Sequence, residues 1–112
     1  MNRLRLLALC ACLALVPQAR AAADLPDPAR FGTRMEVGDL GQAKQWLDAG
    51  IDPNFVADRI GTGLMIGAWT GNVPLMELFA ARGADIHRTN RVGETALLHA
   101  AWKGNVVAVK WL

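Results

Sequence analysis

Residues 67–73 read GAWTGNV and residues 100–106 read AAWKGNV, so a Trp, one variable residue, a Gly and an Asn recur in the same order. Trp69 and Trp102 lie 33 residues apart, and Gly38, Gly71 and Gly104 carry that spacing across most of the chain. Asp39, Asn72 and Asn105 follow the glycines. Phe31, Leu64 and Leu97 keep the period, as do Gly50 with Gly83, Asp52 with Asp85 and Thr62 with Thr95. A fixed period of this length marks a stacked array, in which no unit buries its apolar face alone and neighbouring units bury it together.

The chemistry of one unit follows from its residues. Leu64–Trp69 is apolar and then small, which suits a short helix whose Gly67-Ala68 face admits a close neighbour. Gly71 fits the left-handed conformation that ends helices. Asn72 is a good N-cap for the next helix, and Pro74 falls in its first turn, where a missing N–H costs nothing. That second helix, VPLMELFAAR (73–82), places Leu75, Met76, Leu78 and Phe79 on one face. Gly83 closes it, and ADIHRTNRVGET (84–95) is a turn-rich link. Upstream, Asp27-Pro28 reads as an N-cap and first helical position opening a helix that contains Phe31 and Met35. Trp46 and Trp111 fall on apolar second-helix positions and read as core.

Four segments then carry a resemblance. GETALLHAAWKGN (93–105) and TGLMIGAWTGN (62–72), with AKQWLDAGIDPN (43–54) and MELFAARGADIH (76–87), resemble the ankyrin repeat. That motif runs Thr-Pro-Leu-His-x-Ala-Ala-x-x-Gly-His, then an apolar helix, then Gly-Ala-Asp-x-Asn. The resemblance implies an all-α solenoid of stacked helix-turn-helix units joined by hairpin-like loops, about two and a half repeats over residues 24–112. Departures are local. Gly63 and Ala96 replace the motif Pro, and Met65 and Leu98 replace its His. Ile60 stands where the loop Gly belongs, with Gly61 one place late, so the first loop tip is expected to differ from the second. The third unit breaks off inside its second helix at VVAVKWL, which raises the expectation that the natural chain continues beyond Leu112; ending there, it is expected to be marginally stable.

In the family, the loop tips and the end of the first helix of each unit face a concave surface that contacts partners. Carried over, those positions are Asp58, Arg59 and Gly61 with Trp69 and Thr70, then Arg91, Val92 and Glu94 with Trp102 and Lys103. Trp and Arg are enriched among interface hot spots. A Trp at the end of a helix can equally pack on the adjacent unit, one ring face serving each purpose. The resemblance therefore implies a module that binds another protein. Narrower alternatives are an inhibitor or immunity-type protein acting on an enzyme in the same compartment, or the non-catalytic part of a longer enzyme.

Residues 1–23 read differently. Arg3 and Arg5 precede an apolar run from Leu6 to Val16 and a stretch of small residues in which cleavage after Ala21 or Ala23 fits the A-x-A rule of a secretory signal peptide. The run is far shorter than the ~20 residues a spanning helix needs. A periplasmic or secreted destination follows as an expectation, with no membrane attachment after cleavage. Removing the segment removes Arg3, Arg5 and Arg20, leaving nine Lys and Arg against ten Asp and Glu. The basic balance of the whole chain belongs to the signal, and no cationic footprint for nucleic acid remains. Cys10 and Cys12 leave with it, so neither a disulfide nor a thiolate metal site is expected in the mature chain.

The ingredients of catalysis are sparse. Residues 24–112 contain no Ser, Cys or Tyr, and only His87 and His99 could serve as a base near neutral pH. His87 stands at a loop position and reads as a loop hydrogen-bonding residue. His99 sits between Leu98 and Ala100 on a helix and reads as a packing residue. Asp52 and Asp85 read as loop residues bonding their own backbone, and Asp48 and Asp58 as solvated charges. No catalytic residue, metal ligand or cofactor is expected.

Overall fold

The computed structural model describes residues 25–112; the signal peptide expected over residues 1–23 lies outside the described residues. Among the described residues, six helices follow in order: α1 (Pro28–Glu36), α2 (Leu40–Asp48), α3 (Gly63–Thr70), α4 (Val73–Ala81), α5 (Ala96–Lys103) and α6 (Val106–Trp111). They form three helix pairs, with α3 packed between α1 and α5. The only β-type pairing among the described residues is an isolated antiparallel bridge between Val56 and Thr62. The all-α stacked architecture is the expected one.

Each pair turns where the repeated Gly stands. Gly38, Gly71 and Gly104 adopt φ of 74°, 74° and 67°, a left-handed conformation that a side chain resists. The first helices start on Asp27, Thr62 and Thr95, whose side chains accept from the N–H groups of Arg30, Met65 and Leu98. Asp39 and Asn72 cap the second helices in the same way, toward Gln42 and Leu75. Asn105 does not cap. Its side-chain amide donates instead to the carbonyl oxygens of Ala68 and Trp69, at 2.8 Å each, fastening unit three to the end of α3.

The core is continuous through the stack. Phe31, Met35, Trp46, Leu64, Met65, Leu75, Met76 and Phe79 are all buried. Phe31 is its aromatic centre, with Trp46 tilted at 5.9 Å and Phe55 and Phe79 edge-on at 5.0 and 6.0 Å. Trp46 is core as expected, with the Arg30 guanidinium over its ring at 5.6 Å; Trp111 is only half-buried and packs against the core edge. Asp48, expected as a solvated charge, pairs with Arg82 at 2.6 Å, joining the second helices of units one and two. Among the described residues no helix is long and apolar enough to cross a membrane.

Equivalent positions are not equally covered. Leu64 is 1% exposed because α5 lies against it, whereas Leu97, one period later, is 51% exposed; Leu98 and Val109 are also open. Truncating a fully buried Leu costs about 2–5 kcal/mol. Leu64→Ala is therefore expected to lower the urea midpoint sharply, and Leu97→Ala to cost less than about 1 kcal/mol, since most of its surface is already in water.

Candidate functional site

The two loop tips are built on one plan with one difference. In each, an N–H bonds a carbonyl four residues on: Ala57 to Gly61 at 2.7 Å and Asn90 to Glu94 at 2.9 Å. In the second tip the left-handed residue is Gly93, with φ of 83°. Its counterpart, one period earlier, is Ile60, which is buried instead, and the positive φ of 143° moves to Gly61. A branched side chain strongly disfavours the left-handed region, so the expected alteration of the first tip follows from sterics.

Asn90 organises the second tip and ties it to the first. Its side-chain oxygen accepts from the N–H groups of Val92 and Glu94, at 3.1 and 2.9 Å. Its amide donates to the Ile60 carbonyl at 2.9 Å and to the Glu94 carboxylate at 2.7 Å. Between the tips lies a cleft of about 170 Å³, lined among others by Val56, Asp58, Arg59, Arg91 and Val92. Sequence reasoning gave Asn90 no role, although Asn is a residue whose side chain commonly bonds turn backbone.

The ten expected contact positions divide in two, with Val92 on the exposed side and Gly61 on the buried one. Asp58, Arg59, Thr70, Arg91, Trp102 and Lys103 are exposed, while Trp69 is half-buried and Glu94 is largely turned inward. Arg59 reaches Glu36 at 3.7 Å with most of its side chain in solvent. The Thr70 hydroxyl is spent inside its own helix, donating to the Ile66 carbonyl at 2.8 Å. Glu94 is held by Asn90 rather than presented outward. Trp69 packs against the core, and the Lys103 ammonium lies 4.9 Å above its ring. Trp102 is 59% exposed. The two Trp of the repeated motif thus differ: Trp69 is covered by the next unit, and Trp102 faces water.

Between them lies His99. Its ring is 5.7 Å from Trp69 and 5.9 Å from Trp102, edge-on to both, and the residue is 4% exposed. Neither ring nitrogen has a hydrogen-bond partner among the described residues, and the Glu94 carboxylate stands 3.7 Å from Nε2, beyond hydrogen-bonding distance. Burial pushes the His99 pKa below its ordinary value, with Glu94 partly opposing the shift. The packing role expected for His99 is met, but its place between the two indoles is not legible in sequence. His87 bonds Asp85 through its backbone N–H, and Asp52 caps Asn54 in the same manner. Among the described residues no three His, Cys, Asp or Glu side chains stand close enough to hold a metal.

A depressed His pKa fixes the sign of the pH dependence. Above the ordinary histidine value of ~6.5, His99 is neutral whether the chain is folded or not. As pH falls below it, the unfolded chain takes up a proton that the folded chain resists, so stability is lost. The thermal midpoint should therefore fall as the pH drops below about 6.5 and level off once folded His99 also protonates. His99→Leu should remove that part of the slope.

Residues 71–112 match the family model for ankyrin repeats (many copies). The chain is 37% identical over 82 residues to Ankyrin repeat and SAM domain-containing protein 6 of Rattus norvegicus, and equally to its counterpart in Mus musculus. The match covers 70% of this chain and 9% of each of those proteins, so the chain spans about a tenth of the relatives it matches.

Proposed function

The chain is an ankyrin-repeat protein, and from that premise we propose that residues 24–112 form an exported module that binds another protein through the loop tips and the α5 end. Ankyrin repeats are protein-interaction modules, which makes the binding of a protein the first expectation. The observation that carries the finer reading is Trp102, a large aromatic more than half exposed on a firmly held helix. Arg59 and Arg91 on the loop tips and Lys103, next to Trp102 in sequence, are exposed and supply donors for a partner's carbonyls or carboxylates, and Arg side chains with Trp make up the usual anchors of interfaces. The cationic, apolar and small-residue pattern of residues 1–23 supports export, with the periplasm or the cell exterior as the place of action. The sparse catalytic inventory supports a binding role over an enzymatic one.

The test is affinity capture from an extract of the source cell with immobilised protein, wild type against Arg59→Glu/Arg91→Glu. Both residues are exposed, so the variant should keep its helical circular dichroism. A protein retained by wild type and lost with the variant supports the reading. Identical retention by both means that the tips do not carry recognition.

A further inference from the structure

We propose, building on the reading of this face as a partner-binding surface, that His99 is a proton-operated switch beneath it. Neutral His99 holds Trp69, Trp102 and the second loop tip in the binding arrangement; protonated His99 draws Glu94 away from Asn90 and releases the partner in mild acid.

The position itself raises the question. Ile66 stands one period before His99 and is fully buried, so a hydrocarbon satisfies the stack at this place. An imidazole with two unpartnered ring nitrogens packs there too, but adds a polar cost that a hydrocarbon would avoid. A neutral ring leaves one donor and one acceptor unmet, and a charged ring is harder still to bury without an anion.

The surroundings offer one such anion. Helix α3 (Gly63–Thr70), which packs against α5, carries no ionisable side chain. Lys103 on α5 lies over Trp69, and Lys110 on α6 and Arg91 on the tip are exposed. Glu94 alone stands opposite the ring, 3.7 Å from Nε2, and its Oε1 already accepts from Asn90 at 2.7 Å. A proton taken from solvent by His99 makes Glu94 the acceptor of a bond in which both partners are charged, stronger than the one it takes from the uncharged Asn90 amide. Asn90 then loses one of the bonds that define the tip and its link to Ile60. One protonation thus disturbs the Trp pair and the loop tip together.

Linkage gives the direction. A partner that covers Trp102 removes further water from His99 and makes its charged form less favourable. By reciprocity, charging His99 weakens the partner's hold. The loss is bounded at about tenfold in affinity per pH unit below the histidine pKa.

The switch can be read without a partner. Nuclear magnetic resonance follows the indole N–H signals of Trp69 and Trp102, the side-chain amide of Asn90 and the ring of His99 from about pH 7.5 to 4.5, a range that brackets the ordinary histidine pKa. The expected result is one shared transition with its midpoint below ~6.5. Glu94→Gln, which removes the opposing carboxylate, should move the midpoint lower. In His99→Ile, which copies Ile66, the indole and Asn90 signals should stay flat while the helical signal persists. Indole and amide signals that stay still while His99 titrates, or that move equally in His99→Ile, overturn the proposal. Should His99→Ile fail to fold, an unmoved midpoint in Glu94→Gln overturns it instead. Failure of the capture experiment with a titrating Trp pair sinks only the partner-binding reading; successful capture with a silent Trp pair sinks only the switch.

Discussion

Phe79→Ala should lower the unfolding free energy by about 3–5 kcal/mol. Phe79 is fully buried and meets Phe31 edge-on at 6.0 Å, the ring that also touches Trp46 and Phe55. Its own ring fills the space over Gly63, where an added Cβ would fall 2.5 Å from two ring carbons. Truncation removes the edge contact with Phe31 and opens a cavity that helices on both sides hold open. Since whole domains are stable by only about 5–15 kcal/mol, a small array could lose most of its folded population. Urea denaturation followed by circular dichroism reads the change, and a loss below about 1 kcal/mol would show that Phe79 does not join the units.

Gly67→Val should be comparably damaging for the opposite reason. A Cβ on Gly67 would lie 2.6 Å from Met76 Cγ, 3.2 Å from the Asn72 carbonyl oxygen and 3.3 Å from the Met76 nitrogen. The Met side chain can give way, but the other two atoms belong to the backbone of the opposing helix and its cap. Overpacking of this kind costs about 1–3 kcal/mol, and the second branch of Val raises it toward or beyond the upper figure. Gly41→Ala is the contrasting control. Its nearest neighbour would be an Asp39 carboxylate oxygen at 3.7 Å, on an exposed helical position, so a gain of about 0.5–1 kcal/mol is expected.

What sequence made legible is the part of the fold that every unit must repeat. A chain that reverses after each first helix needs a left-handed residue there, and Gly38, Gly71 and Gly104 record that need at fixed spacing. The cap at Asp27 is legible for the same reason, because an exposed helix N-terminus calls for a short polar acceptor, whereas Thr62 and Thr95 show in sequence only as a repeated pair and as caps in the structure. What stayed hidden depends on neighbours in the stack. Trp69 and Trp102 occupy the same position in successive units, yet α5 and Lys103 lie beside the first and solvent beside the second. Asn72 and Asn105 occupy equivalent positions, but Asn72 caps its helix while Asn105 reaches across to two carbonyls of the preceding unit. The loop position of Glu94 implies an outward side chain, since it is variable in the family; the amide of Asn90 four residues earlier turns it inward. His99 was legible as a packing residue, but its lack of any hydrogen-bond partner is a property of the assembled stack.

On the proposed reading, scaffold and recognition are separable on this surface, with Trp102 belonging to the second. One variant tests it most directly. Trp102→Ala should be measured for its urea midpoint and for capture of the protein that wild type retains. The expected result is an unfolding free energy within about 1 kcal/mol of wild type, the cost of an exposed side chain, together with loss of capture. A collapsed midpoint, or full capture by a folded Trp102→Ala chain, would contradict it.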